Sequence, residues 1–365
     1  VSVGATGAAG GTRISALRGS DSGVSPAGPT GPAEAARPAE GAPRLAWWCR
    51  GGHAQTIGSA LRRPRGAPLS RERLETPDGD FVDLDWCGDG QASTEAPAVL
   101  ALHGLEGSSR SSYVTGLFAE IAVQGWRALC LNFRSCSGEP NRLPRFYHSG
   151  DTGDLDFVVR ALLAREPGLR LGLVGVSLGG NVLLKWLGEQ GAGVPAAIFG
   201  AVAISVPFDL VACARRLDRG FHRQLYTARF LRTMRAKVRE KARRHPGFVD
   251  VQRVRRARTF AAYDRAVTAP LGGFADELDY WTRASSGPYL GRIRRPTLLL
   301  GARDDPLVPE TSLPDPRDLP DDVTAEFVLH GGHVGFIEGR WPWRTRSWAE
   351  RRAIAYLGER LASPS

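Results

Sequence analysis

The segment that most restricts the fold lies between residues 171 and 188. A short apolar run, 171–176, has the length of a strand buried on both faces. It leads into Gly175-Val176-Ser177-Leu178-Gly179, and Leu183, Leu184 and Leu187 follow at helical spacing. G-x-S-x-G between a strand and a helix is a sharp turn that lifts a serine out of the backbone. A turn of this kind belongs at the carboxyl edge of a mainly parallel sheet.

The rest of the chain keeps that rhythm. Residues 81–86 alternate with period two, as a half-exposed edge strand would, and 98–102 read as a buried strand. A helix at 113–123, a strand at 126–133 and a helix at 154–165 precede the turn. After it come strands at 197–206, 297–300 and 327–329, and a closing helix at 347–361. The expected class is therefore α/β, a mostly parallel central sheet flanked by helices. Residues 207–292 lack a buried strand and read as a helical cap inserted over the ligand-binding edge of the sheet. The core is then expected in two parts, 44–206 and 293–365. Residues 1–43 hold 29 Gly, Ala, Pro or Ser and no aromatic residue, so a disordered tail is expected there.

Charge is concentrated in one place. The net charge is +10, yet 16 Lys or Arg against three acids lie between Arg215 and Arg258, so the remainder is slightly acidic. A basic cap suits peripheral contact with an anionic membrane, while a solvated helix face is the plainer explanation. Five cysteines at irregular spacing argue against a disulfide framework and a zinc site and suit a reducing compartment. No apolar run approaches a membrane span and no secretory pattern opens the chain, so a cytoplasmic protein is expected.

Serine is a weak nucleophile until a base takes its proton and a carboxylate orients that base. Nucleophile Ser177 should be followed by acid and then histidine. His333, in Gly331-Gly332-His333-Val334-Gly335-Phe336, is the expected base, and His330 is the weaker candidate. Two adjacent carboxylates follow the strand at 297–300. Asp304 is preferred as the acid, with Asp305 the alternative; the other is expected to cap the next turn. Backbone N–H groups of Leu105 and Leu178 would form the oxyanion hole. His103 is expected to hold the Leu105 loop rather than to act as base.

These strings resemble those of an α/β-hydrolase of the YheT-like branch, also called AB hydrolase family 4. The resemblance rests on Gly51-Gly52-His53-Ala54-Gln55-Thr56-Ile57, His103-Gly104-Leu105-Glu106-Gly107-Ser108 and Asn132-Phe133-Arg134. It extends through Tyr147-His148-Ser149-Gly150-Asp151-Thr152-Gly153-Asp154-Leu155, residues 175–181, Thr268-Ala269-Pro270 and residues 331–336. The resemblance implies a triad on Ser177, Asp304 and His333 and hydrolysis of carboxylic esters, acylglycerols and phospholipids included. It requires no cofactor and no metal. Ser135 departs from the family, which usually has Gly there. His53 and His148 are expected to be structural, and Asp151 or Asp154 to cap the helix beside them. The expected partner is a small ester or lipid. Acyl transfer to an alcohol would use the same residues. A lipid- or nucleic-acid-binding role is the remaining alternative, with no nucleic acid expected as partner.

Overall fold

The computed structural model describes residues 43–62, 67–88 and 95–362, so the expected tail lies outside the described residues apart from Pro43. Eight strands form one sheet: β1 (Leu69–Glu75), β2 (Phe81–Cys87), β3 (Ala98–Leu102), β4 (Arg127–Asn132), β5 (Leu171–Val176), β6 (Ile198–Ile204), β7 (Thr297–Ala302) and β8 (Val323–Val328). Their order is β1-β2-β4-β3-β5-β6-β7-β8. β2 runs antiparallel to both neighbours. Every other pair is parallel.

The unbroken apolar runs follow from cover on both faces. On β3, Leu100 and Leu102 join a cluster with Leu155, Val158, Leu183 and Leu187. Those partners belong to helices α3 (Gly153–Arg165) and α4 (Leu178–Gln190). Val99 and Ala101 face the other way, toward Val114, Leu117, Ile354 and Leu357. Those belong to α2 (Ser112–Val123) and α12 (Trp348–Ala362); a shorter helix, α1 (Gly52–Leu61), precedes the sheet.

The edge-strand expectation for 81–86 is corrected. β2 lies inside the sheet, and β1 is the edge. Its polar residues are covered by charge rather than water. Arg71 stands opposite Asp85 and Arg73 opposite Asp83, each through a two-pronged guanidinium–carboxylate contact. Both aspartates are buried as a result.

Residues 207–292 hold helices joined by loops and no strand: α5 (Leu210–Leu217), α6 (Gly220–His222), a π turn, α7 (Ala228–Arg244), α8 (Val251–Arg256), α9 (Phe260–Ala266), α10 (Thr268–Gly272), α11 (Glu277–Ala284) and a closing 3₁₀ turn. They enclose a cluster containing Leu231, Val238, Val254, Tyr263 and Trp281. Part of the positive charge is used inside the fold. Lys237 reaches Glu106 at 2.8 Å, Lys241 donates to the carbonyls of Leu143 and Arg145, and Arg216 donates to Pro306 O. Arg239, Arg243 and Arg244 stay exposed. No helix among the described residues is long and apolar enough to cross a membrane.

α1 and β1 were not expected, nor was the hairpin β9 (Ile337–Trp341) and β10 (Arg344–Ser347), which grows out of the loop after His333.

Candidate active site

Ser177 has φ +54°, so the chain reverses sharply between β5 and α4. That conformation costs a non-glycine residue about 1–3 kcal/mol and persists because the packing around it leaves no alternative. Gly179 shows why: a Cβ there would lie 2.4 Å from Leu102 O, so β3 is pressed directly against the turn.

The Ser177 Oγ lies 2.9 Å from His333 Nε2, and His333 Nδ1 lies 2.8 Å from Asp305 Oδ2. An Nδ1–H donated to the carboxylate leaves Nε2 free to accept from the serine hydroxyl. The imidazole is largely buried, and Asp305 almost completely. Asp305 also accepts the Leu307 and Val308 N–H groups on Oδ1 at 2.7 and 3.1 Å. One carboxylate therefore caps its own turn and orients the histidine.

The preference for Asp304 is corrected. Its Oδ1 accepts the N–H groups of Gly331 and Gly332, both at 2.8 Å, and its Oδ2 faces His330. It ties down the start of the histidine loop without touching His333. Nor does it cap the following turn, a task that falls to Asp305. His330 is exposed and bonded to Asp304.

Leu105 and Leu178 line one cavity with Ser177 and His333. The amides on either side of Leu105 are engaged: Gly104 N–H donates to Tyr113 Oη and Glu106 N–H to Tyr147 Oη, both at 2.8 Å. Leu178 begins α4, where backbone N–H groups lack partners within the helix. His103 is fully buried; its Nδ1 donates to Gly104 O and its Nε2 accepts the Phe133 N–H. Burial pushes its pKa down to about 4, so it stays neutral and holds the loop.

The cavity, about 120 Å³, is walled largely by the cap, through Leu217, Phe230, Met234, Phe260 and Trp281. One acid lines it: Asp264, which accepts from Thr268 Oγ1 at 2.6 Å and Trp281 Nε1 at 2.8 Å. Burial raises its pKa to about 7.

The string at 51–57, whose residues suggest no chemical role by themselves, braces the site. A Cβ on Gly52 would lie 1.9 Å from Asp304 O, so α1 can begin there only with glycine. Thr56 Oγ1 accepts the His333 N–H at 2.8 Å and donates to Gly52 O. Gln55 bridges Cys49 O and Ile337 N, and Ser59 donates to Val334 O. His53 lies 2.8 Å from Tyr226 Oη. His148 accepts the Gly150 N–H and packs edge-on against Phe274 and Tyr280. Asp151 and Asp154 pair with Arg145 and Arg134, and the N-cap of α3 is Thr152, so the expected capping role is not seen. Ser135 takes φ +63°, the conformation that suits Gly. The cysteines are all free thiols.

Residues 97–340 match the family model described as alpha/beta hydrolase fold. The Escherichia coli K12 protein YheT, which carries an esterase designation, is 38% identical over 296 residues, covering 80% of this chain and 86% of its own. The phospholipase ABHD3 of Mus musculus is 29% identical over 302 residues, 81% of this chain and 73% of its own. A monoacylglycerol lipase of Saccharomyces cerevisiae is 30% identical over 253 residues, 67% of this chain and 56% of its own. The chain belongs to the α/β-hydrolase family and is a hydrolase. Within that family it falls in the YheT-like branch.

Proposed function

We propose that this hydrolase cleaves carboxylic esters with apolar acyl groups through an acyl-enzyme on Ser177. The observation that carries the proposal is the continuous relay Ser177–His333–Asp305 opening into an apolar cavity. His333 Nε2 takes the Ser177 proton as Oγ attacks the ester carbonyl. The N–H groups of Leu105 and Leu178 receive the developing oxyanion. The intermediate collapses, His333 hands the proton to the departing alcohol, and the acyl group stays on Oγ. Water enters, gives its proton to His333, attacks the acyl carbonyl, and the serine leaves with the proton restored. The Asp305 carboxylate holds the ring in place and stabilises the imidazolium.

The esterase, phospholipase and monoacylglycerol lipase designations of the relatives support ester chemistry. The apolar lining supports an acyl chain as the group that fills the pocket. A chain-length series of p-nitrophenyl esters and monoacylglycerols on the purified protein tests this. Turnover should rise with acyl length until the cavity is filled and then fall. Absence of turnover across the whole series would contradict the proposal. Repeating the series with added glycerol separates hydrolysis from acyl transfer by the products formed.

A further inference from the structure

The β9–β10 hairpin leaves the sheet directly after the His333 loop and returns at Trp348, whose N–H donates to Phe336 O at 2.9 Å. Every residue of its tip, Arg340-Trp341-Pro342-Trp343-Arg344, is exposed. Trp341 and Trp343 stack on each other with ring centroids 5.5 Å apart and planes 7° from parallel. They are 44% and 75% exposed. A third exposed indole, Trp47, donates from Nε1 to Arg340 O, so it sits against the same hairpin. The Arg340 guanidinium lies 5.6 Å from the Trp341 ring centre. The neighbouring carboxylates are taken, Glu338 by Arg351 and Glu326 by Arg352. Arg340, Arg344 and Arg346 thus pair with no carboxylate among the described residues.

A turn with only a folding role is served by small polar residues. Two solvent-facing indoles contribute nothing to the core and leave a large apolar surface wet. Indoles are favoured where an apolar layer meets a polar one, because the ring is apolar and its N–H is not. Arginine beside them suits lipid phosphate, which a guanidinium grips with two hydrogen bonds. The cap, where the sequence placed membrane contact, offers exposed cations, but its exposed large apolar residues are only Phe221 and Leu278.

We infer that the β9–β10 hairpin is an interfacial anchor that seats the protein on an anionic phospholipid surface. The inference goes beyond the reading of Ser177, because binding to a surface needs no turnover. The indoles enter the headgroup layer, the arginines meet phosphates, and the histidine loop lies at the hairpin's root.

The test is sedimentation of the full chain with phosphatidylglycerol–phosphatidylcholine vesicles and with pure phosphatidylcholine vesicles, alongside p-nitrophenyl butyrate turnover. Wild type should bind the mixed vesicles more tightly. The double variant Trp341→Ala/Trp343→Ala should bind them about tenfold more weakly, with unchanged turnover of the soluble ester. Arg340→Glu/Arg344→Glu, which keeps the indoles, should lose most of the preference for the anionic vesicles, since each basic residue near such a surface contributes about fivefold in affinity. Wild-type affinity in both variants overturns the inference. So does loss of binding only on reversal of Arg239 and Arg243, which would place the contact on the cap. A change in oligomeric state on removing the indoles, with vesicle binding intact, also overturns it by making the face a protein interface. Missing ester turnover in wild type would instead strike the reading of Ser177 and leave the vesicle result standing.

Discussion

Replacing Asp305 with asparagine separates the two adjacent carboxylates most sharply. In Asp305→Asn the carboxamide oxygen can still accept from Leu307 and Val308, so the turn keeps its cap. The new NH₂ group then faces His333 Nδ1, where the carboxylate accepted at 2.8 Å. That arrangement turns Nδ1 into an acceptor and puts the proton on Nε2. An Nε2–H cannot take the proton of Ser177, 2.9 Å away. An amide in place of a triad acid costs about 10⁴ in kcat elsewhere, and a similar fall is expected here. KM should move little, because Asp305 does not line the cavity beside Ser177. In Asp304→Asn, the Oδ1 contacts with Gly331 and Gly332 survive, so kcat should fall less than about tenfold. The assay is p-nitrophenyl butyrate hydrolysis, with the folded fraction of each variant measured by circular dichroism. A larger loss in Asp304→Asn than in Asp305→Asn would refute the reasoning.

Thr56→Val removes the acceptor for the part-buried His333 N–H, and an unmet donor there costs at most about 1–3 kcal/mol. We expect kcat to drop about 10- to 100-fold, with Thr56→Ser recovering most of it; equal loss in both variants would contradict a positioning role. Ser135→Gly should raise the thermal midpoint by about 2 °C, since it relieves a left-handed residue costing about 1–2 kcal/mol; a lower midpoint would mean that the Ser135 Oγ contact with Asn141 dominates. Asp264 binds its proton more tightly when folded, with a pKa of about 7. Its contribution is therefore complete below pH 4 and lost as pH rises to 7, a span worth on the order of 4 kcal/mol. Stability of Asp264→Asn relative to wild type, from urea unfolding at pH 5 and pH 8, should improve at the higher pH; a constant difference would rule out titration of Asp264.

The sharp turn at Ser177 was legible because its signal is local: an apolar strand, glycines and a helix lie within eighteen residues. His333 was legible for the same reason, flanked by glycines after a strand. The acid was not. Asp304 and Asp305 are neighbours of identical chemistry, and their roles depend on how the chain turns after β7. The Asp305 N–H donates to Ala302 O, and the following amides wrap onto Asp305 Oδ1. That turn directs Asp305 inward, a geometry that no residue pattern displays. β1 was missed because Leu69–Glu75 reads as charged, and its arginines make sense only opposite Asp83 and Asp85. The hairpin was missed because glycine, proline and arginine interrupt it. The string at 51–57 stood out in the sequence, yet its role is wholly tertiary: α1 leans on two loops some 250 residues away in the chain.

The central claim is that Ser177 carries the acyl group. The direct measurement is intact-mass and peptide mapping of the protein mixed rapidly with p-nitrophenyl acetate and quenched in acid, beside Ser177→Ala. The account predicts one acetyl group per wild-type chain, on the peptide containing Ser177, and none on the variant. Acetylation of Ser177→Ala to the same extent, or an adduct on another residue with Ser177 unmodified, would contradict it.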